Sequence, residues 1–350
     1  FHAADPNPTY YRKLPSYGEY TVDEFRANAQ IDWVGMYQQN YGNLDKGAIY
    51  SVVEDVNKDK TLNVISHFDT KLKDNWKFNA NFSYQNLKSD NFRRIKDLLG
   101  ATFARNLDAY SNEGSNQWNL DNPDYKVYEG DRTQYSYILN KNTYAINLST
   151  EIDLPRWNVV ASVFASHSES YRDGQFRNHF YAVGNQSKGK SDVYNTTDAG
   201  MKAKVTYKID GKNFLVYTGA FFTLAPTLNE IFVNPRTTNL ITPEIQNMQI
   251  NSNELSYIIR GQVLKLRLSG YYTTIQKATE FSRYYFDISG GTADEGNALA
   301  AEILTNLNKI YKGLELGAEV KITPTLSVTA VGSYGDYTVA NNPNVASYDD

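Results

Sequence analysis

The sequence contains no cysteine and only three methionines among its 350 residues. The absence of cysteine excludes a disulfide scaffold, a thiolate metal site and a cysteine nucleophile. Charged residues make up only 21% of the chain, and 35 basic against 39 acidic residues give no electrostatic basis for binding nucleic acid. No apolar run approaches the roughly 18–20 residues that a membrane-spanning helix needs, so helical spans are excluded.

Aromatic residues, by contrast, are abundant: the chain has 28 Tyr, 16 Phe and 4 Trp. Such a composition argues against disorder and is typical of strands or of wet aromatic surfaces. A membrane-spanning β-barrel is compatible with the low mean hydropathy of −0.55, because its strands alternate apolar and polar residues.

Long segments of the chain alternate apolar and polar residues with a period of two. Residues 144–154 place tyrosine, isoleucine and leucine on one face, and asparagine, serine, glutamate and aspartate on the other. Residues 78–85, 264–272 and 314–322 follow the same pattern. The pattern predicts about ten antiparallel strands, each with one apolar and one polar face. Strands of roughly ten or more residues suit a tilted membrane crossing better than a soluble sheet.

Very short links join these strands in pairs, whereas long polar stretches separate the pairs. The short links are typical of hairpin turns and lie near residues 71–75, 153–156, 210–212, 260–262 and 323–325. The long stretches are residues 88–141, 172–199, 225–246 and 278–310. This alternation is typical of a bacterial transmembrane barrel with tight periplasmic turns and long extracellular loops. Capping-box patterns and helical spacing predict short helices in the loops, at residues 21–24, 91–107 and 292–295.

An ordered series of motifs covers essentially the whole chain. It comprises residues 7–17 (NPTYYRKLPSY), 31–33 (IDW), 37–40 (YQQN), 97–100 (DLLG), 129–131 (EGD), 171–178 (YRDGQFRN), 225–236 (APTLNEIFVNPR), 311–318 (YKGLELGA), 323–326 (TPTL) and 333–337 (SYGDY). The series resembles TonB-dependent outer-membrane receptors. The subgroup that it resembles most is the SusC type, which carries a carboxypeptidase-regulatory-like domain before its plug.

The resemblance implies part of a 22-stranded antiparallel transmembrane β-barrel in the bacterial outer membrane, with short helices in its extracellular loops. It also implies energised, TonB-dependent import of a bulky scarce nutrient, such as a siderophore, glycan, peptide or other small molecule. Its expected partners are the TonB complex acting through a plug segment, outer-membrane lipid, lipopolysaccharide and a surface lipoprotein lid. Because no plug-like segment, TonB box or terminal aromatic strand is recognisable, we expect residues 1–350 to be a partial barrel domain without the plug and the C-terminal strands.

The residues also leave two other functions open: a passive outer-membrane pore or surface-binding barrel, and a soluble β-rich carbohydrate-binding module. An enzyme is not expected, because the four histidines are scattered without ligand-like spacing. Residues 55–59 imitate the start of a calcium loop but lack its glycine at the sixth position, so we predict a solvated turn there. The sequence therefore predicts no catalytic residue, metal site or cofactor.

Aromatic and basic residues in the predicted loops are the candidates for substrate binding, because recognition residues tend to lie on loops held by a rigid scaffold. Tyrosines could stack on sugars or aromatic chelates and arginines could pair with anionic groups, but tyrosines also pack loops against one another. The substrate candidates are Tyr10, Tyr11, Arg12, Trp33, Tyr37, Arg172, Arg177, Arg236, Arg283 and Tyr284. Four aromatic residues near strand ends are predicted to anchor the barrel at the membrane interface rather than to stack on a ligand: Trp76, Tyr84, Trp157 and Tyr207.

Overall fold

The computed structural model describes residues 31–108, 116–180, 186–286 and 298–349, and most of them lie in antiparallel strands. Two short helices, α1 (Trp33–Tyr41) and α2 (Leu228–Ile231), lie outside the strands. No helix among these residues is long and apolar enough to cross a membrane. The strands are β1 (Val52–Lys73), β2 (Trp76–Asp97), β3 (Ala104–Arg105), β4 (Lys126–Val127), β5 (Arg132–Asp153), β6 (Trp157–Gly174), β7 (Gly189–Lys190), β8 (Tyr194–Lys208), β9 (Asn213–Leu224), β10 (Met248–Arg260), β11 (Leu264–Phe286), β12 (Ala298–Thr323), β13 (Leu326–Val339) and β14 (Asn344–Asp349).

Ten of these strands form one continuous sheet in the order β1-β2-β5-β6-β8-β9-β10-β11-β12-β13. Each pairs antiparallel with its neighbours, and the short strands β7 and β14 add to β6 and β12. Strands β3 and β4 form a separate small pair. Since successive long strands are also neighbours in space, the sheet is an up-and-down meander, the arrangement of an up-and-down barrel wall. The predicted all-β antiparallel fold is confirmed.

Tight turns join the long strands at one end of the sheet, as the sequence predicted. In the third turn the Asp210 carboxylate accepts hydrogen bonds from the backbone N–H groups of Lys212 and Asn213, at 2.7 and 2.8 Å. The other end of the sheet, here called the loop end, carries the long connections. The turns are residues 74–75, 154–156, 209–212, 261–263 and 324–325, and the described long connections include residues 98–131, 175–193 and 225–247.

Apolar side chains on one face of the sheet form a band across all ten strands, here called the apolar belt. Cross-strand neighbours share a face, so the band runs from Leu148 on β5 through Val163 and Met201 to Phe221 on β9. Half of Val163 and 60% of Met201 remain exposed. Other exposed members are Leu62, Val64, Phe68, Phe82, Tyr144, Ile146, Trp157, Leu215, Tyr217, Leu255, Leu268, Tyr272, Leu314, Leu316, Val320, Ile322, Val328 and Tyr334.

The opposite face, here called the polar face, carries mainly asparagine, serine, threonine and charged residues. Cross-strand ion pairs join Lys77 to Glu151 at 3.1 Å and Lys265 to Glu319 at 3.0 Å. The predicted division into one apolar and one polar face is therefore confirmed. Because the apolar belt is exposed on a single sheet, the described part of the chain lacks the dry core that two packed sheets would share in a soluble sandwich.

Three predictions about local structure are wrong. Residues near 91–107 do not form a helix, because β2 continues to Asp97 and Phe92 pairs with both β1 and β5. Residues 55–59 lie within β1 rather than in a turn. Three of the four predicted loops, 88–141, 172–199 and 278–310, begin and end inside strands, because β2, β5, β6, β8, β11 and β12 extend further than predicted. The fourth, 225–246, lies between β9 and β10 as predicted. Above the belt apolar and polar residues no longer alternate regularly, as in residues 91–97 (NFRRIKD), which removes the period-two signal although backbone pairing continues. The helix starts predicted at 21–24 and 292–295 lie outside the described residues.

The side chain of Asn40 fixes α1 to the loop ends of β1 and β2. Asn40 is fully buried, and its Nδ2 atom donates to the backbone oxygens of Tyr50, Leu98 and Leu99 at 2.8, 2.9 and 3.2 Å. Its Oδ1 atom accepts from the backbone N–H groups of Ile49 and Tyr50 at 2.9 and 3.1 Å. Buried backbone groups need hydrogen-bond partners. The side-chain amide of Asn40 supplies these partners for the backbone groups of Ile49, Tyr50, Leu98 and Leu99, where α1 meets the sheet.

Candidate functional site at the loop end

The connection of residues 225–247 folds onto the polar face and buries it beyond the apolar belt. Tyr135, Tyr137 and Leu139 of β5 pack against Ile231 and Phe232 of this connection. Ile231 and Phe232 are almost completely buried, and burial of one such side chain stabilises a fold by about 1.5–3 kcal/mol. Apolar packing therefore holds this connection in a fixed position over the polar face.

Arg172, at the loop end of β6, ties two connections together. Its side chain is buried, with 1% of the residue exposed. Its Nε atom donates to the backbone oxygen of Pro235 at 2.6 Å, and its Nη1 atom donates to the backbone oxygen of Ser187 at 2.8 Å and to Asn239 Oδ1 at 2.5 Å. Burial lowers the pKa of Arg172 to about 10, which leaves the guanidinium charged at neutral pH. The prediction that Arg172 is an exposed loop residue needs correction, since in this structure it joins connections 175–193 and 225–247.

Four residues form a charged and aromatic group on the polar face, here called the loop-end cluster: Asp55, Arg93, Tyr135 and Arg236. Arg93 donates to both carboxylate oxygens of Asp55, at 2.6 and 3.0 Å. Arg236 Nη2 lies 3.7 Å from the same carboxylate. The guanidinium carbons of Arg93 and Arg236 lie 5.5 and 4.7 Å from the ring centroid of Tyr135, so both cations contact the π face of this ring.

The electrostatics of the cluster favour an anionic partner. Hydrogen bonding from Arg93 lowers the pKa of Asp55, so this carboxylate is ionised at neutral pH. Burial, followed by the hydrogen bond with Asp55, raises the pKa of Tyr135 to about 12, so its hydroxyl keeps its proton. Two guanidinium groups thus face one carboxylate. The Arg93 side chain is only 16% exposed, whereas that of Arg236 is 53% exposed, so Arg236 is the cation that a ligand can reach.

The structure brings three of the predicted substrate residues to the same connection. Arg236 belongs to the loop-end cluster, and Arg283 of β11 donates to the backbone oxygen of Val233 at 3.3 Å. Arg172 donates to the backbone oxygen of Pro235, the residue before Arg236. Tyr284 follows Arg283 on β11, opposite Ala300 of β12.

The other predicted substrate residues lie apart from this cluster. Arg177 donates to Asp121 at 2.7 Å and so links connections 98–131 and 175–193. Trp33 and Tyr37 lie on α1, where Trp33 is exposed and Tyr37 packs on the buried cluster of Met36, Tyr50 and Leu99. Within the described ranges, no three His, Asp or Glu side chains lie together as a metal site would need. Three candidates fall outside the described residues: Tyr10, Tyr11 and Arg12.

The four aromatic residues predicted at the membrane interface fall into two rows on the face of the apolar belt. Trp76, Trp157 and Tyr207 lie beside the tight turns, with the rings of Trp157 and Tyr207 4.6 Å apart. Tyr84 lies nearer the loop end, and its ring is 5.0 Å from that of Tyr144. From Trp76 to Tyr84 the strand rises about 27 Å, which is comparable with the ~25 Å apolar band of a membrane barrel after strand tilt is allowed for. Their role at a membrane interface stays a prediction.

Sequence reasoning missed Asp55, Arg93 and Tyr135, although hairpin register carries a signal for the first two. Lys71 pairs with Lys77 beside the first turn. If each step back along β1 is matched by one step forward along β2, Asp55 pairs with Arg93, as it does in the structure. Opposite charges directly across two strands are a recognised stabilising pair. Tyr135 could not be found in this way, because a register shift between β2 and β5 at Phe92 interrupts the pairing that would locate it.

No protein-family model matches the sequence, and no curated protein matches it. Among solved structures, the copper transporter OprC aligns with a TM-score of 0.57 at 12% sequence identity, over 84% of this chain and 39% of OprC. Over the aligned part, the chain has the antiparallel β-barrel fold of that structure.

Two further solved structures align at lower scores. The ferric yersiniabactin uptake receptor FyuA from Yersinia pestis aligns with a TM-score of 0.49 at 11% identity, over 85% of this chain and 38% of FyuA. The ferric-catecholate import receptor Fiu from K12 E. coli aligns with a TM-score of 0.44 at 12% identity, over 83% and 38% of the two chains. The chain spans about two fifths of the length of these structures, and the likeness to OprC establishes the fold alone.

Proposed function

We propose that this chain is part of the barrel of a TonB-dependent outer-membrane receptor that imports a bulky, scarce nutrient with energy supplied through TonB. The chain would be a partial barrel domain, with the plug and the remaining strands of a 22-stranded barrel contributed by the rest of the protein. The motif series further supports the SusC-type subgroup with a carboxypeptidase-regulatory-like domain.

The observation that carries the proposal is the apolar belt. An exposed apolar surface that crosses ten strands would be an aggregation hazard in water, whereas it matches the hydrocarbon layer of a membrane. Each of the eight strands between β1 and β13 in the order of the ten-strand sheet pairs on both sides, which satisfies the backbone groups that lipid cannot hydrogen-bond. The polar face would then line the interior of the barrel.

The loop-end cluster is the proposed capture site for the substrate. Arg236 offers an exposed cation beside the Tyr135 ring, and Arg283 and Tyr284 extend the same region. Guanidinium groups pair with carboxylate or phosphate groups, while the aromatic ring stacks on sugars or aromatic chelates. Trp33, Tyr37 and Arg177 would contribute from neighbouring connections. In this arrangement lipid and lipopolysaccharide surround the apolar belt, and a surface lipoprotein lid would close over the loop end.

Membrane location and energised transport are tested together in cells that carry the intact protein. We expect the protein in the outer-membrane fraction, released only by detergent, and uptake of its nutrient abolished by deletion of TonB or by a protonophore. Uptake that continues without TonB would indicate a passive pore or surface-binding barrel instead. A protein recovered from the aqueous fraction without detergent would indicate a soluble carbohydrate-binding module.

The capture site is tested with Arg236→Ala against Arg260→Ala. Arg260 is a matched control, because it lies at the turn end of β10 with its guanidinium carbon 5.1 Å from the Phe214 ring centroid. Loss of one charge-assisted hydrogen bond should weaken affinity for the imported compound by about tenfold. The assay compares half-saturating concentrations across labelled ferric siderophores, oligosaccharides and peptides. Equal values for both variants would contradict the assignment of the capture site.

A further inference from the structure

The belt face of β1 and β2 becomes basic just beyond the apolar belt. Leu62 of β1 belongs to the belt, and Lys60 and Lys58 lie two and four residues further toward the loop end on the same face. Lys88 of β2 stands directly opposite Lys60 in the ladder. All three lysines are exposed, and they are here called the basic patch. The first of them, Lys60, is only about 7 Å along the strand from Leu62, so the patch lies at the loop-end margin of the belt.

The basic patch keeps its positive charge. None of its three ammonium groups has an ion-pair or hydrogen-bond partner among the residues that the structure describes. Asp90 stands directly opposite Lys58, but Arg132 donates to both oxygens of this carboxylate, at 2.9 and 2.6 Å. Asp59 lies between two of the lysines in sequence, yet on the polar face. Since Asp90 and Arg132 cancel one another, the patch carries three uncompensated positive charges.

Lys60 and Lys88 repel one another across the ladder. Side chains directly opposite on antiparallel strands have Cβ atoms about 4.5–5.5 Å apart, and like charges at such positions are destabilising. At the same margin of the belt on β12 and β13, by contrast, Lys312 stands opposite Asp336, and their Nζ and Oδ2 atoms are 3.1 Å apart. The repulsion within the basic patch is relieved when an anion from outside the chain lies between the two ammonium groups.

We propose that the basic patch binds the phosphate groups of lipopolysaccharide, whose acyl chains lie on the apolar belt below it. The proposal rests on the membrane location proposed above, in which the loop end faces the outside of the cell and the outer leaflet consists of lipopolysaccharide. The anchor of this lipid carries phosphate groups next to its acyl chains. One phosphate accepts hydrogen bonds from Lys60 and Lys88, while the acyl chains contact Leu62 and Tyr84.

The position of the basic patch separates lipopolysaccharide from other anions. A soluble anion such as free phosphate can pair with the lysines but gains nothing from the neighbouring belt. Phospholipids of the inner leaflet place their head groups at the opposite margin of the belt, beside Trp76, Trp157 and Tyr207. An imported nutrient meets the polar face of the sheet instead. The patch therefore selects an amphiphile of the outer leaflet that carries phosphate directly above its acyl chains.

The first test measures the affinity of the intact protein, purified in detergent and freed of bound lipid, for a fluorescent short-core lipopolysaccharide. The same lipopolysaccharide after enzymatic removal of its phosphates is the comparison. We expect the phosphorylated form to bind at least about tenfold more tightly, because each lysine at an anionic lipid surface strengthens attachment by about fivefold. Equal affinity for the two forms would overturn the proposal. Competition by equimolar inorganic phosphate or phosphatidylglycerol would assign the patch to those anions and overturn it as well.

The second test removes two charges of the basic patch. Lys60→Gln with Lys88→Gln should weaken binding of the phosphorylated form by at least about tenfold. Lys202→Gln with Lys204→Gln is the matched control, because these are also two exposed lysines without an ion pair, but they lie on the polar face of β8, beside Met201 of the belt. The control should bind within about twofold of the unaltered protein. A control that loses as much affinity, or a test variant that loses none, would refute the site.

Thermal unfolding gives an independent measurement with the single variant Lys60→Gln, which also serves if circular dichroism shows that the double variant does not fold. Loss of the repulsion should raise the melting temperature of the lipid-free variant slightly above that of the unaltered protein. Added lipopolysaccharide should then stabilise the unaltered protein more than the variant, and equal stabilisation counts against the site.

The outcomes also separate this site from the membrane location on which it rests. A protein that stays in solution without detergent would remove the membrane proposal itself. A detergent-dependent protein that binds both forms of lipopolysaccharide equally would remove only the phosphate site.

Discussion

Replacement of Arg172 by methionine should release the connections at the loop end while leaving the sheet intact. Methionine keeps the length of the buried stem but removes the donors to Pro235, Ser187 and Asn239. Each buried acceptor that is left unpaired costs about 1–3 kcal/mol. Three such acceptors lower the local free energy of opening by roughly 3–9 kcal/mol. At 1.4 kcal/mol for each factor of ten, the open population should rise by at least about a hundredfold.

Hydrogen–deuterium exchange with mass spectrometry measures this opening. Amides of connections 175–193 and 225–247 should exchange at least about a hundredfold faster in Arg172→Met, while those of β8 and β9 keep their rates. Arg172→Lys should have an intermediate effect, because a single ammonium cannot replace the fork of the guanidinium. Arg260→Met, at the turn end, is the matched control. If both connections kept their protection in Arg172→Met, the reasoning that assigns their attachment to this guanidinium would be refuted.

Three further predictions concern single polar side chains. Asn40→Asp should weaken the attachment of α1 to the sheet more than Asn40→Ala, because the carboxylate places acceptor oxygens opposite three backbone oxygens. Protease cleavage of the helix measures this attachment. Slower cleavage in the aspartate variant than in the alanine variant would contradict the prediction. Hydrogen bonds from Lys188 and Arg177 lower the pKa of Asp121 below its ordinary value of 3.8, so the link between connections should persist above that value and weaken as pH falls through the lowered pKa. Because these side chains are 33–45% exposed, the loss of stabilisation at low pH should stay below about 1 kcal/mol. Amide exchange measured as a function of pH checks this, and a larger loss would contradict the prediction. Asp210→Ala should remove two backbone hydrogen bonds and those from the Asn213 side chain, and so lower the melting temperature slightly. An unchanged melting temperature would show that the turn forms without them.

The sheet could be predicted from the sequence wherever its strands cross the apolar belt. There successive side chains point alternately to an apolar and to a polar surrounding, so apolar and polar residues alternate in the sequence. All five tight turns were predicted, because glycine, proline and aspartate mark hairpin links locally. Beyond the belt apolar and polar residues no longer alternate regularly, so β2 and β11 looked like loops although their backbone pairing continues to Asp97 and Phe286. Backbone hydrogen bonds between strands do not depend on side-chain type, so they leave no pattern in the amino-acid sequence of one strand.

The candidate site was predictable only in part. Arg236 was found because an exposed arginine in a long connection is an evident ligand candidate. Arg172 was selected for the same reason, yet it is buried, since three acceptors from connections distant in sequence converge on it. The partners of a guanidinium depend on how loops fold back on the sheet, and a single sequence carries no information about that packing. The pairing of Asp55 with Arg93 could have been predicted by counting residues outward from the first turn.

In the proposed receptor, the length of β1 and β2 would separate recognition from passage. Leu62 is the last large apolar residue of the belt on β1, and Asp55 lies about 23 Å further along the strand. The paired strands would then rise as a collar above the lipid surface, and the loop-end cluster would stand in a vestibule outside the bilayer. A receptor built in this way can exchange its specificity by altering the collar, without disturbing the seal between its wall and the membrane.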